Sequence, residues 1–170
     1  MKENVIKIPA DQDEITLYCY MGEALFKIQV VEQALGHSIT LKKNPNEKKE
    51  RADEFLKQQL SYTLGIAIKV VIKENLYILS LQEELKEFLE QRNWLVHKAM
   101  FEGRNALNTN NKKEEFFKKV KAISNKAESI HRAIEYDLIN FCSSMGKDMS
   151  KILALLKLQQ QGVRIQTPLS

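Results

Sequence analysis

Apolar residues recur along this chain at three- and four-residue steps, the spacing that gathers them on one face of an α-helix. The clearest run is Phe116, Val120, Ile123, Ala127, Ile130, Ile134, Leu138 and Phe141. It predicts one long helix from about Lys112 to Ser144, packed along its length and ended by Gly146. A second run is Tyr18, Met21, Leu25, Ile28 and Leu35, with Leu17, Ala24 and Val31 beside it. That stripe is wide enough to bury a helix against two neighbours. Asp11 followed by Glu14 has the form of a helix-start capping pair, and Gly36 supplies the expected stop.

Between these runs the pattern predicts shorter pieces. Ala52, Phe55, Leu56 and Leu60 mark a helix from about Glu47 to Leu64, capped by Asn46 and interrupted at Gly65. Ile66, Ile68 and Val70 alternate as a strand would, yet Ala67 and Val71 keep a four-residue step. A lone strand would have no partner here, so a short helix or irregular link is preferred for 66–72. Asn75 to Leu79 reads as a connector. Leu81, Leu85, Phe88, Leu95 and Ala99 then predict a helix from Ser80 to Gly103, opened by a Ser80–Glu83 capping box. Asn105 to Asn111 reads as a polar loop. Met149, Ile152, Leu153, Leu155 and Leu156 predict a last helix from Asp148 to about Gln159. Residues 1–10 and 162–170 read as tails, in which Val163, Ile165 and Leu169 are candidates for docking. The expectation is all-α: one domain, with a core over about 11–158, built as a bundle of four long helices plus one or two short ones.

One segment breaks its own pattern. Arg92 falls on the apolar stripe between Phe88 and Leu95, and Asn93 falls on the adjacent row with Leu89, Val96 and Met100. A guanidinium at such a position is costly unless it is paired or lines a cleft. His97 lies one turn beyond Asn93 on the same side. A charged donor, an amide and a titratable imidazole thus leave two turns of one helix.

The hexapeptide Arg92-Asn93-Trp94-Leu95-Val96-His97 resembles the signature of the HEPN superfamily. That signature is an arginine, usually followed by a polar residue, with a histidine four to six residues on. An apolar run before the arginine (Leu85, Phe88, Leu89) and an aromatic after the histidine (Phe101) extend the likeness. The resemblance implies a helical bundle and a metal-independent endoribonuclease needing no cofactor, with Arg92, Asn93 and His97 as its catalytic residues. It places the protein among toxins, phage-defence factors and RNA-processing proteins. The partners it implies are RNA (transfer RNA is a candidate), a second copy of the chain paired through the motif helix, and an inhibitory protein.

The residue types suit that chemistry. Cleavage through the RNA's own 2′-hydroxyl removes one proton there and delivers one to the leaving 5′-oxygen, and histidine can do either near neutral pH. A guanidinium fork matches two phosphate oxygens. Asn93 is placed to orient the imidazole or donate to phosphate. Arg92 and His97 are separated by about 140° round a helix, so a two-fold dimer is the simplest way to gather both into one cleft. Glu90 and Glu102 flank the motif as candidate supporting carboxylates. The competing reading is a structural network, with Arg92 paired to a carboxylate of another helix. The function would then be a non-catalytic RNA- or nucleotide-binding module, or a protein-interaction module of the immunity or antitoxin kind. Trp94 is expected in core or dimer packing, and His37 and His131 are read as surface residues.

Composition narrows the setting. Apolar residues make up 44% and charged residues 28%, enough for a core and a wet surface. Cys19 and Cys142 stand alone, without metal or disulfide spacing. No run has the length of a membrane span, and Met1 to Glu14 lacks the form of a signal peptide, so a cytoplasmic protein with no membrane partner is expected. The net charge is +4 with a pI near 8.9. Its basic residues cluster at Lys42–Arg51 and Lys112–Lys121. Both clusters are interrupted by acids and are read first as solvated helix ends, with a phosphate-attracting rim as the alternative.

Overall fold

The computed structural model describes residues 9–162, together with all side chains there except those of Lys49, Gln159 and Gln160. Of the expected tails at 1–10 and 162–170, residues 1–8 and 163–170, with Val163, Ile165 and Leu169, lie outside the described residues. Within them the protein is all-helical, with seven helices and no strand: α1 (Gln12–Lys43), α2 (Lys49–Leu60), α3 (Leu64–Lys73), α4 (Leu79–His97), α5 (Ala99–Ala106), α6 (Asn110–Ser144) and α7 (Ser150–Gln160).

The two strongest apolar runs make the two longest helices. α1 starts on the expected capping box: Glu14 N–H donates to Asp11 Oδ1 at 2.8 Å, and Asp11 N–H donates to Glu14 Oε2 at 3.3 Å. α6 buries Phe116, Val120, Ile123, Ala127, Ile130 and Ile134. A straight helix drifts relative to a seven-residue repeat. Farther along, the buried positions accordingly pass from Leu138 and Phe141 to Ile139 and Cys142. α1 and α6 pack side by side and run parallel. Their register is fixed by Lys113 to Asp13 at 2.8 Å, Ser124 to Glu23 at 3.1 Å, Lys27 to Glu128 at 3.3 Å, and Lys42 with Asp137. α4 and α5 run antiparallel to both: along α1 Arg92 meets Glu32 and Gly103 meets Leu17, and along α6 Glu84 meets Lys126 and Trp94 meets Phe116. Leu17, Leu35, Leu85, Phe88, Leu95, Val120 and Ile130 meet in the shared core.

Several expected boundaries are corrected. Gly36 does not stop α1, which continues to Lys43 and carries exposed His37 on a helix rather than a loop. A Cβ at Gly36 would lie 3.0 Å from Leu60 Cδ2, so the glycine lets α2 approach α1. Gly103 likewise lies inside α5 and not at a helix end. A Cβ there would meet Phe116 Cζ at 2.9 Å and Leu17 Cδ1 at 3.0 Å. Gly146 does end α6 in the expected way, with φ +76°. Asn46 and Ser80 cap nothing: α2 follows Lys48 and α4 follows Ile78, both without a side-chain cap. The interruption placed at Gly65 falls at 61–63, and Gly65 is already helical. The ambiguous stretch 66–72 is helix, within α3. The polar loop narrows to 107–109 between α5 and α6.

The motif helix itself is broken. Lys98, with φ −124° and ψ −32°, separates α4 from α5, so His97 is the last residue of α4 rather than mid-helix. Beyond the break Ala99, Gly103 and Ala106 are buried, and their small side chains let α5 sit close against α1 and α6. α7 keeps Ile152, Leu153, Leu155 and Leu158 exposed. No described helix is long and apolar enough to cross a membrane.

Candidate functional site

α4 sends its motif residues in two directions. Arg92 turns inward, toward α1 and the start of α3. Its Nη2 lies 3.7 Å from Glu32 Oε1, and that oxygen also accepts the backbone N–H of Leu64, the first residue of α3, at 3.2 Å. Thr63 provides no side-chain cap there, so Glu32 satisfies one of the open donors at that helix start. Arg92 Nη1 donates to Asn93 Oδ1 at 3.4 Å, and Nε is buried without a hydrogen-bond partner among the described residues. The carboxylate expected of a structural network is therefore present, and it is Glu32.

His97 and Asn93 face outward. Both are exposed, with Asn93 one turn before the histidine on the same side. His97 makes no hydrogen bond or ion pair to another described residue, so either ring nitrogen is open to a ligand or a second chain. Around it Val96, Met100 and Phe101 are also exposed, Phe101 by 74%. Arg92 and His97 are thus not brought together within one chain.

Trp94 organises a different place. Its indole Nε1–H donates to Glu102 Oε2 at 2.9 Å, and its ring leans on Phe116 with centroids 5.7 Å apart. Lys119 Nζ sits over the indole, 3.5 Å from its centroid. On either side of this pair an open groove runs between α4 or α5 and α6, with volumes of about 590 and 390 Å³. Glu90 lines the larger arm beside Trp94, and Glu102 lines the smaller. The two candidate supporting carboxylates therefore accompany Trp94 and not Arg92. Lys112, Lys119 and Lys126 reach the groove from α6.

The basic clusters fare differently. Lys42 is no part of a rim: its side chain is 8% exposed, pairs with Asp137, donates to Leu76 O at 2.6 Å and lies over the Tyr77 ring. Burial pushes the Tyr77 phenol pKa up despite its hydrogen bond to Ser38 Oγ at 2.6 Å. His131 pairs with Glu135 at 3.6 Å, away from the motif. Among the described residues no three His, Cys, Asp or Glu side chains are grouped to share a metal ion.

The sequence pattern passed over Glu32 and Lys126, whereas Lys112 and Lys119 lie in the basic cluster Lys112–Lys121 read above as solvated helix ends or a phosphate-attracting rim. Nothing local marks Glu32, an acid on an otherwise mixed helix face. Lys112, Lys119 and Lys126 did carry a signal, since seven-residue steps put them in one row with about 20° of drift per step. Comparison with family models, curated proteins and solved structures finds no match to this chain.

Proposed function

We propose that the protein is a metal-independent endoribonuclease of the HEPN type, acting as a toxin, phage-defence or RNA-processing factor, with an active site completed across a homodimer. In this reading the four long helices of the bundle are α1, α2, α4 with α5, and α6, and α3 and α7 are the short ones. The observation that carries it is the placement of His97. The imidazole stands exposed on the last turn of α4, without a partner among the described residues, and the Asn93 amide lies one turn below it. It can take the proton of a 2′-hydroxyl as that oxygen bonds to phosphorus, or deliver one to the 5′-oxygen as its bond to phosphorus breaks. The products are a 2′,3′-cyclic phosphate and a 5′-hydroxyl. Exposed Val96, Met100 and Phe101 beside His97 offer the apolar surface on which a second copy would add its own motif helix.

One observation favours a second reading. The Arg92–Glu32–Leu64 network gives the arginine a structural task, which suits a non-catalytic RNA- or nucleotide-binding or protein-interaction module.

The deciding experiment is incubation of total or transfer RNA with the purified protein and its His97→Ala variant in the presence of chelator, with helicity and mass checked for both. Cleavage by the parent alone, leaving cyclic phosphate ends, supports the nuclease. Two folded, inactive proteins would overturn it in favour of the binding module.

A further inference from the structure

The groove beside Trp94 has two unlike walls. α6 contributes Lys112, Lys119 and Lys126 in one row, spaced by about 10.5 Å per seven-residue step, with Glu115 between the first two in the smaller arm. α4 contributes carboxylates, among them Glu90, and the indole stands between the walls. Lys126 is tied to Glu84 at 2.8 Å, which leaves Lys112 and Lys119 without a carboxylate partner among the described residues. A uniformly basic wall would suit any polyanion backbone. In the larger arm the aromatic plate has cations on one side and carboxylates on the other, which suits a single nucleotide with its base turned out. Phosphate meets the lysines, the base covers the indole, and the amino or imino edge of the base donates to a carboxylate.

We propose that Trp94 is a stacking platform for one unpaired nucleotide of RNA, and that Lys119 exchanges its place over the indole for the phosphate of that nucleotide. Lys119 keeps the plate covered when the groove is empty, so the aromatic face is not left to water. Glu102 holds the indole edge and fixes the plane of the ring. The plate is also near the proposed chemistry. His97 follows Trp94 by three residues, about 60° round the helix and about 4.5 Å along it. A base on Trp94 therefore sets which phosphate lies against the imidazole. The inference deepens the proposed function and rests on it for the choice of RNA. It makes Trp94 and Lys119 positioning residues that select unpaired sites.

Trp94 is the sole tryptophan of the chain, so its fluorescence reports on this plate alone. The His97→Ala protein is titrated with a single-stranded 12-mer oligoribonucleotide and with the matching duplex, at low and high salt. Quenching by the single strand, little by the duplex, and affinity that falls with salt are expected. Binding followed by the anisotropy of a labelled strand should weaken by about ten-fold or more in Trp94→Leu and by several-fold in Lys119→Ala. Trp94→Phe should retain most of it. Lys119 is exposed, so its variant keeps the test sharp if Trp94→Leu does not fold. Unchanged fluorescence with single-stranded RNA, or unchanged affinity in Lys119→Ala, overturns the platform. So does a response to oligoarginine that exceeds the response to RNA, because the groove would then be a cation site. Cleavage by the parent without any fluorescence response sinks the platform and spares the nuclease. A fluorescence response without cleavage does the reverse.

Discussion

Arg92 and Glu32 meet at 3.7 Å through the same carboxylate oxygen that accepts the first N–H of α3, so one arginine steadies the junction of α1, α3 and α4. The Arg92 side chain is 24% exposed and the pair is only partly desolvated. Replacing Arg92 by Ala leaves Glu32 with the Leu64 N–H and removes its counter-charge. The expected cost is about 1–2 kcal/mol, read as a lower urea midpoint at unchanged slope. His97→Ala, at an exposed position, should stay within about 0.5 kcal/mol of the parent. For the proposed cleavage, a loss in Arg92→Ala must therefore be judged at a temperature where the variant is still folded, whereas His97→Ala would report on the proposed chemistry directly. An unchanged midpoint in Arg92→Ala would deny the junction its proposed weight.

Two glycines of the same helical neighbourhood should answer the same substitution with opposite signs. Gly103 lies where a Cβ would press Phe116 Cζ at 2.9 Å and Leu17 Cδ1 at 3.0 Å, both core side chains with little room to give. Gly103→Ala should destabilise by about 1–3 kcal/mol, the usual range for overpacking. Gly22 is exposed in the middle of α1, and a Cβ there meets nothing within 4 Å. Gly22→Ala should stabilise by about 0.5–1 kcal/mol through helix propensity alone. Thermal melts of the pair would settle it, and two shifts of the same sign would contradict the packing described at Gly103.

These glycines also show where the sequence was legible and where it was not. A long stripe such as Phe116 to Ile134 is over-determined, because each residue repeats the same information. The helix and its buried face could therefore be read directly. A single glycine carries one fact, the missing Cβ, which serves a helix stop and a close helix crossing equally well. Gly146 serves the first use, Gly36 and Gly103 the second, and only the neighbours Leu60, Phe116 and Leu17 decide between them. The break at Lys98 had no local sign, since neither proline nor glycine adjoins it. At the motif, the misfit of Arg92 on an apolar stripe did announce a polar partner. Which acid would answer it depended on how α1 crosses α4, and that is tertiary information. Asn93 and His97 share a face as their spacing demanded, and Arg92 parts from them for the same reason.

The seam between α1 and α6 should titrate. The Glu23 carboxyl is held below its ordinary value of 4.5, first by the hydrogen bond with Lys27 and then by that with Ser124. Glu128 is likewise lowered, first through Lys27. The Lys27 ammonium is raised above 10.5, first by its hydrogen bond to Glu23. Depressed carboxyls contribute stability that is fully present above their unfolded pKa and is lost as pH falls through the folded value. A raised lysine contributes stability present below its unfolded pKa and lost as pH rises through the folded one. Stability from this cluster should be flat from about pH 6 to 9 and decline beyond about pH 4 on the acid side and about pH 11 on the alkaline side. Glu23 and Glu128 are 52% and 43% exposed, so both declines are shallow and weaken further in salt. Urea midpoints against pH for the parent and for Lys27→Met provide the measurement. The variant should lose most of its difference from the parent at the acid end. A constant difference across the whole range would mean that Lys27 acts through packing alone.

Phe101 decides whether the exposed face beside His97 is an interface. Under the proposed dimer, an aromatic ring exposed by 74%, one turn beyond the catalytic candidate and flanked by Val96 and Met100, would anchor the second copy of the chain. Phe101→Glu would set a carboxylate against its own symmetry mate. A hot-spot loss of about 2 kcal/mol weakens the dimer by about 30-fold. The fold should be untouched, since the side chain contributes little to the core. Sedimentation over a range of concentrations should show the shift toward monomer, and RNA cleavage should fall with the dimer fraction and recover as protein concentration rises. A variant that is monomeric and fully active would remove the composite site, leaving His97 to act within one chain. A variant with unchanged mass and activity would place the second copy elsewhere on the molecule.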